Sequence, residues 1–387
     1  MKIVHVLPAL SKGGGERVAV ELANHASMAA HQVTIVVASL VDPALLQDEL
    51  DPRVQVLCVS NSMGSRIGQY LGIFPWLWRN HSWLAKQDIL HCHLTFGAVL
   101  GSVVGLWRSL SRSIQPVIVE TCHSVGMNIS WFKRWSYAQL FKHRDGIVFM
   151  AEDDYWKKFI LEHPKLHSEI IPNGIKIPSQ KSEGHETQKA HRQKLGIPDD
   201  CRLVLGTIGM LRSDRKPWLY LPIFAEVARV LGPDIHFVIA GGGAELDRMR
   251  LLVAEHGLEG QVHLPGLDLN PHLTLSIMGL YITLNVGPIT GIAAMEAAFS
   301  NLPVLAIQLL DDYQGEVNDW IWSSSDSRAV AERAINLIRL PQERHELAER
   351  QNAYVRANHT VEKMADSYFA FYQAAVKISP AKAKTSV

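Results

Sequence analysis

The sequence is poor in cysteine, has no long apolar run and carries no excess of either charge. Lysine plus arginine and aspartate plus glutamate both number 38, so no overall field draws the chain to nucleic acid. The start lacks a signal-peptide pattern and no run of about 18 apolar residues occurs, so we expect neither an exported nor a membrane-spanning chain. The four cysteines have no CxxC spacing, which is typical of reduced thiols in the cytoplasm. They are Cys58, Cys92, Cys122 and Cys201.

The sequence does contain a regular alternation of strand and helix patterns, in two series separated by a polar connector. This pattern predicts α/β architecture with two Rossmann-like domains, at 1–177 and 178–357. A helix at 358–378 is expected to pack back on the first domain, and the tail 379–387 is expected to be disordered. The predicted strands are 2–7, 33–38, 54–59, 89–92, 117–121, 147–150, 203–208, 236–240, 262–264, 281–284 and 304–307.

The stretch 279–309 predicts one βαβ unit, with a turn at Thr290 and Gly291. In open α/β sheets, ligands bind beyond the carboxyl ends of the strands, where the next helix begins. The amides of Gly291 and Ile292 would then face a ligand, and such a helix end attracts anions. Glu296 lies about a turn and a half further on, and its carboxylate suits a vicinal diol such as a ribose. We therefore expect a diphosphate at this helix end.

Eight motifs occur in order along nearly the whole chain, and together they resemble the retaining GT-B glycosyltransferases of family 4 (glycosyl transferases group 1). The resemblance implies two facing Rossmann-like domains with a deep cleft. It implies metal-independent transfer of a sugar from a nucleoside diphosphate sugar to a hydroxyl acceptor, with retention of anomeric configuration and no cofactor. The motifs are GGGERVAVELA at 13–23, DILHCH at 88–93, ETCHS at 120–124, IPNGI at 171–175, IGMLRSDRK at 208–216, VIAGGGAEL at 238–246, VHLPG at 262–266 and EAAFSNLPVLA at 296–306.

In the second half, the resemblance gives Lys216 the place of a phosphate-binding lysine and Glu296 that of the acid holding the ribose hydroxyls. Two positions depart from the family pattern, because Met210 replaces an arginine and Pro288 replaces the first acid of the glutamate pair. Arg212 and Arg215 are candidate substitutes for the lost cation, and the alternative is that both are solvated loop charges. The Thr290 hydroxyl and adjacent backbone amides are candidate substitutes for the lost acid. A helix N-cap is the alternative role for Thr290. The predicted donor-binding residues are Arg212, Gly241, Gly266, Thr290, Gly291 and Ile292, with Arg215 as a second substitute cation.

In the first half, Gly13, Gly14 and Gly15 follow a strand and precede a helix, and the resemblance implies a loop that approaches the acceptor or a phosphate. A glycine loop with positive φ and no ligand is the alternative. His123 ends a predicted strand and matches a family histidine near the donor sugar, so with Lys216 and Glu296 it completes the predicted catalytic set. His93 is a weaker candidate, and His91 is expected on the same strand face.

Three other classes of site are disfavoured by spacing. Strand alternation separates Cys92 from His91 and His93, and no paired spacing supports zinc, so no metal site is predicted. No Asp-x-Asp triplet is present to hold a metal diphosphate. The last glycine of a dinucleotide fingerprint would fall at Leu246, which disfavours a dehydrogenase.

Two segments, 70–86 and 131–144, interleave aromatic and basic residues. They predict either core aromatics with a charged edge or peripheral contact with an anionic membrane at its inner face, where a lipid-linked acceptor would be reached. Polysaccharide biosynthesis would fit such an acceptor. Two rival functions stay open: a same-fold epimerase or phosphorylase, and a catalytically weakened nucleotide-sugar-binding scaffold.

Overall fold

The computed structural model describes residues 1–10, 13–60, 66–111, 115–123, 135, 139–152, 154–164, 166–176, 184–268, 270–310, 315–317 and 320–378. The chain divides into two compact units. The first comprises Met1–Lys176 and Thr360–Val387, and the second comprises Ile177–His359.

The first unit is built on a seven-stranded parallel sheet in the order β3-β2-β1-β4-β5-β6-β7. Strands β4, β5 and β6 are buried along their whole lengths, as expected of parallel strands covered on both faces. The sequence pattern missed the seventh strand, because its four residues are partly exposed and polar. The strands are β1 (Lys2–Leu10), β2 (Gln32–Val41), β3 (Gln55–Cys58), β4 (Ile89–His93), β5 (Val117–Cys122), β6 (Gly146–Phe149) and β7 (His167–Ile170).

The helices that cover this sheet include the last helix of the chain, which packs on β5 and β7 and on the first helix. An isolated β-bridge between Ile175 and Thr360 joins the two segments of this unit, Met1–Lys176 and Thr360–Val387. The helices of the first pass are α1 (Gly14–Met28), α2 (Pro43–Asp48), α3 (Arg66–Leu71), α4 (Ile73–Leu84), α5 (Leu94–Ser111) and α6 (Asp154–Glu162).

The second unit is built on a seven-stranded sheet in the order β10-β9-β8-β11-β12-β14-β13. All pairs are parallel except β13 with β14, and the sequence pattern missed both of these short strands. The strands are β8 (Leu203–Ile208), β9 (Ile235–Ala240), β10 (Val262–Gly266), β11 (Leu280–Asn285), β12 (Val304–Gln308), β13 (Gly315–Val317) and β14 (Ile321–Ser324).

Side-chain caps start two helices of this unit. Asn270 accepts a hydrogen bond from Leu273 N, and Asp326 accepts one from Arg328 N, so orphan amides of the first turn are satisfied. The remaining helices of the chain are α7 (His185–Lys194), α8 (Tyr220–Leu231), α9 (Leu246–Glu255), α10 (Pro271–Ser276), α11 (Ile292–Phe299), α12 (Ser327–Arg339), α13 (Pro341–Asn358) and, in the first unit, α14 (Val361–Ile378). The predicted fold class, two Rossmann-like α/β domains, is confirmed.

Candidate active site

The candidate donor site lies at the carboxyl edge of the second sheet, where β8 and β11 are neighbours. A Cβ added at Gly209, which follows β8, or at Gly291, which precedes α11, would meet no atom within 4 Å. Because these backbone segments border open space at the ends of neighbouring strands, a ligand can come close to both.

Backbone-to-backbone packing joins the loops after β8, β9 and β10. A Cβ at Gly241 would lie 1.8 Å from the Gly209 carbonyl oxygen, which excludes any side chain in this backbone arrangement. Gly241 N donates to Gly266 O at 2.7 Å, and Gly266 has a φ of +79°, a conformation that favours glycine. The two predicted glycines are therefore needed to hold the loops at this edge.

Of the three predicted cations, Lys216 and Arg215 have no side-chain partner among the described residues, whereas Arg212 is paired. Its backbone is left-handed, with φ 47° and ψ 53°, between two short 3-10 turns, and its side chain is exposed. The Arg212 guanidinium is held by Asp214 through two hydrogen bonds, Nε to Oδ1 at 2.9 Å and an η nitrogen to Oδ2 at 2.8 Å. Arg215 and Met210 are exposed. Lys216 is thus better placed than Arg212 to bind a diphosphate.

The amino end of α11 borders open space at Gly291, and its N-cap residue differs from the alternative given for Thr290. Gly291, with φ −69° and ψ 151°, is the N-cap, so the alternative interpretation of Thr290 as the N-cap was wrong. The first helical hydrogen bond runs from Ala294 N to Gly291 O at 3.1 Å, and the Ile292 amide precedes it. The Thr290 hydroxyl is buried and has no hydrogen-bond partner among the described residues, so its hydrogen-bonding capacity is unused there.

Glu296 lies on the buried face of α11 and is 6% exposed. Burial raises the pKa of Tyr281 to about 12, and the neighbouring Glu296 carboxylate adds to this rise. The Tyr281 hydroxyl donates to Ile208 O and accepts from Ile208 N, both at 3.0 Å. Tyr281 therefore holds the end of β8 through the backbone of Ile208 and lies near the carboxylate, a position that sequence reasoning missed.

Two amides at strand ends were also missed. Asn285, the last residue of β11, is fully buried, and neither polar atom of its side-chain amide has a partner in the described part of the chain. Gln308, the last residue of β12, accepts from Gly287 N at 2.8 Å and donates to Gly287 O at 3.1 Å, which fixes the loop after β11. An unsatisfied buried polar group costs about 1–3 kcal/mol, so Asn285 is a further candidate ligand contact. The available signal was a polar residue ending an otherwise apolar strand.

In the first unit, the glycine run forms the start of α1. Gly13 is its N-cap, with φ −75° and ψ 157°, so the alternative of a loop with positive φ is wrong at this residue. A Cβ at Gly13 would lie 2.3 Å from Glu16 Oε2, because that carboxylate folds back over the helix end. Burial raises the pKa of Glu16. Gly14 is exposed, and Gly15 packs against Leu94.

His123 follows β5 and is half-buried. Its Nε2 is 3.2 Å from His93 Nδ1, and His93 Nε2 is 3.1 Å from Nδ1 of His5 in β1, so three imidazoles form a hydrogen-bonded row. His91 is held separately, with its Nδ1 2.7 Å from the Tyr372 hydroxyl. Sequence reasoning found the strand face that His91 and His93 share but missed His5.

The geometry of the histidine cluster bears directly on the zinc alternative. His5, His91 and His93 each offer a nitrogen within 4.8 Å of the others. Hydrogen bonds already engage every one of their ring nitrogens except His5 Nε2, including His91 Nε2, which lies 2.8 Å from Thr121 Oγ1. Cys92 lies on the opposite face, where a Cβ at Gly101 would approach its sulfur. A metal would have to replace these hydrogen bonds, so the network favours histidines that bind one another.

The aromatic-basic segment at 70–86 contains α4, which presents Phe74 and Trp78 to solvent at 61% and 82% exposure. Ile67 and Leu71 in α3 extend this apolar surface, and Arg79 is exposed beside it. Half of the second segment lies outside the described residues. None of the described helices is both long and apolar enough to cross a membrane.

Two compact units, each built on a Rossmann-like sheet, are the architecture of the GT-B class of glycosyltransferase. Residues 12–177 match the model described as Glycosyltransferase Family 4, and residues 187–354 match the model described as Glycosyl transferases group 1. The chain belongs to this glycosyltransferase family. No curated protein sequence matches it significantly.

Solved structures of three proteins illustrate the shared fold. Anabaena Alr3699/HepE, in complex with UDP and glucose, is 16% identical with a TM-score of 0.74, over 97% of this chain and 100% of that one. Sucrose-phosphate synthase from Thermosynechococcus elongatus is 16% identical with a TM-score of 0.73, over 98% and 100%. A glycosyltransferase from Rickettsia africae is 15% identical with a TM-score of 0.72, over 97% and 98%.

Proposed function

We propose that this chain transfers a hexose from a nucleoside diphosphate sugar to a hydroxyl acceptor, with retention of anomeric configuration and without a metal. The second unit binds the donor and the first unit binds the acceptor, with the loop at Gly13 close to it. The supporting observation is the combination, beyond the ends of neighbouring strands, of open space beside Gly209 and Gly291, the buried Glu296 carboxylate and the exposed Lys216 ammonium, which has no partner among the described residues. The binding of UDP and glucose by the Anabaena protein supports a nucleotide-sugar donor.

The chemistry follows from the charge that grows on the leaving diphosphate. The bond between the anomeric carbon and the phosphate oxygen breaks with its electrons on the diphosphate, and a bond to the acceptor oxygen forms. The Lys216 ammonium and the amides at the amino end of α11 stabilise that charge. The leaving phosphate takes the acceptor proton, so no side-chain base is required. Proximity of the two reactants supplies much of the remaining rate.

The sugar contacts differ from the family pattern because Pro288 is not acidic. We assign them to the Thr290 hydroxyl and the Asn285 amide, which are buried and have no protein partner. A hydroxyl or an amide both donates and accepts, which matches the hydroxyl groups of a hexose. Glu296 holds the ribose, and His123 contacts the substrate as a neutral hydrogen-bond donor.

A thermal-shift screen against UDP, GDP and ADP sugars identifies the donor, because a ligand that binds only the folded state raises its melting temperature. With that donor, Lys216→Ala and Glu296→Gln are each expected to lower kcat/KM at least about tenfold. Lys189→Ala is the matched control, because Lys189 lies on α7, is exposed and is paired with Asp199. A loss below tenfold in both site variants contradicts the assignment.

The two rivals give different results with the same reagents. An epimerase converts the donor when no acceptor is present, and a phosphorylase needs phosphate for cleavage, whereas a transferase needs the acceptor. Met210 and Pro288 favour the third candidate, a weakened scaffold. Calorimetry with the nucleoside diphosphate tests this candidate. A scaffold that still binds its ligand gives binding without turnover, and one that has lost its ligand gives no binding.

We propose that α3 and α4 contact the inner face of an anionic membrane, where a lipid-linked acceptor is reached. Exposed aromatic side chains beside a cation suit the headgroup region. Flotation with anionic vesicles should recover the protein, and Trp78→Ser should reduce recovery. Leu110→Ser, which changes an 85% exposed side chain on α5, is the control. Equal recovery of both variants would contradict this surface, and no recovery of the unaltered protein would end the membrane hypothesis.

A further inference from the structure

The imidazoles of His5, His93 and His123 cross three neighbouring strands of the first sheet, from β1 through β4 to the end of β5. His5 is 1% exposed and His93 is fully buried, whereas His123 is half-buried at the carboxyl end of its strand. The row therefore runs from the interior of the unit to its surface.

The row is neutral at physiological pH. Burial lowers the pKa of His5 to about 3 and that of His123 to about 4. The pKa of His93 is also well below its usual value, through burial first and through the neighbouring histidines second. Each ring therefore carries one N–H, on either Nδ1 or Nε2.

Neutrality makes the two hydrogen bonds depend on each other. His93 uses both of its nitrogens, so it must donate in one bond and accept in the other. If His93 donates from Nδ1 to His123, then His5 donates from Nδ1 to His93. If His93 donates from Nε2 to His5, then His123 donates from Nε2 to His93. Only these two arrangements satisfy both bonds.

The interior end distinguishes the two arrangements. His5 Nε2 is buried and has no partner among the described residues. In the first arrangement this nitrogen is a bare acceptor with one unmet lone pair, and in the second it is an unpaired buried N–H. Among backbone groups, buried N–H donors without a partner are rarer than under-satisfied carbonyl acceptors, and we extend that order to the imidazole, which favours the first arrangement.

We propose that His5 and His93 are positioning residues that fix the tautomer of His123, leaving its proton on Nδ1 and presenting it outward as a neutral hydrogen-bond donor. Nδ1 of His123 has no partner among the described residues, so it is available to a ligand. Only the identity of that ligand as the substrate rests on the proposed function. The tautomer is a property of the free protein.

His91 provides a matched comparison within the same cluster. Its ring centroid lies 5.2 Å from that of His5, and it is as deeply buried. Its nitrogens, however, are bound by the Tyr372 hydroxyl of α14 and by Thr121, which in turn is 2.9 Å from the Tyr368 hydroxyl. Replacing His91 thus perturbs the core without removing a member of the row.

The test is nitrogen NMR of the full-length protein labelled in its histidine rings, at pH 7 and without substrate. The signals of His123 are assigned by their loss in His123→Gln. In the unaltered protein, Nδ1 of His123 should carry the proton and Nε2 should accept. In His5→Phe, His123 should become a mixture of tautomers, whereas in His91→Phe it should keep the proton on Nδ1.

Several results would overturn the proposal. One is a proton on Nε2 of His123, or a mixture of tautomers, in the unaltered protein. This result does not depend on whether any variant folds. Another is a tautomer in folded His5→Phe that equals that of the unaltered protein. Stoichiometric zinc in the purified protein that is lost in His93→Phe would replace the row with a metal site. A fixed Nδ1 proton in a protein without transferase activity would support the row and contradict the proposed function.

Discussion

Lowering the pH from 7.5 to 5.0 should weaken the first unit, and His5 gives the size of its contribution. The pKa of His5 falls from 6.5 to about 3 on folding, because the buried imidazole cannot be solvated as a cation. Between pH 6.5 and about 3, His5 is therefore protonated in the unfolded chain and neutral in the folded chain. Stability is complete above that pH and declines as the pH falls toward 3.

The magnitude follows from linkage. At pH 5.0, about 1.5 units below the pKa in the unfolded chain, the loss from His5 is about 2 kcal/mol, or about 30-fold in the opening equilibrium. His91, His93 and His123 have lowered pKa values and act in the same direction. His5→Phe should be less stable at both pH values, but its additional loss on acidification should be smaller by about 2 kcal/mol.

Because the chain has two compact units, the measurement should be local. Hydrogen exchange of peptides from β1, corrected for intrinsic exchange at each pH, reports the opening free energy of this sheet. His345→Phe is the control, because that imidazole is exposed on α13, where it is paired with Glu349. If the unaltered protein and His5→Phe lose equal protection between pH 7.5 and 5.0, the reasoning is wrong.

Three further predictions concern residues at the site edge and in the core. Gly241→Ala should lower the free energy of unfolding by about 1–3 kcal/mol or more, because its Cβ would overlap the Gly209 carbonyl oxygen. The control is Gly184→Ala, where the added Cβ meets no atom within 4 Å, and it should leave the melting temperature unchanged. Gly209→Ala should melt normally yet lower nucleotide affinity in calorimetry, and unchanged affinity would show that no ligand approaches there. Glu120→Gln should cost about 3–5 kcal/mol in denaturant unfolding, because it leaves the buried Arg144 guanidinium, now 2.7 Å from that carboxylate, without its counter-ion.

Local patterns were enough to predict the sheets and the site edge. Apolar β-rich runs ending in glycine, alternating with helical periodicity, predicted two parallel sheets, and the ends of parallel strands meet at one edge. Glu296 and the amino end of α11 were therefore predictable from the chain between Leu280 and Phe299. The short strands β7 and β13 were not, because each has a single large apolar residue, whereas the four-residue β6 was predicted from its apolar run.

The sequence by itself determined the fold class, the order of the motifs and the types of side chain at the strand ends. Tertiary structure alone decided which of those side chains were already engaged. It paired Arg212 with Asp214 and left Lys216 unpaired, and it joined His5 to His93 across 88 residues. The physical reason is range: periodicity and turn chemistry act between near neighbours, whereas hydrogen bonds between strands depend on which residues folding brings together.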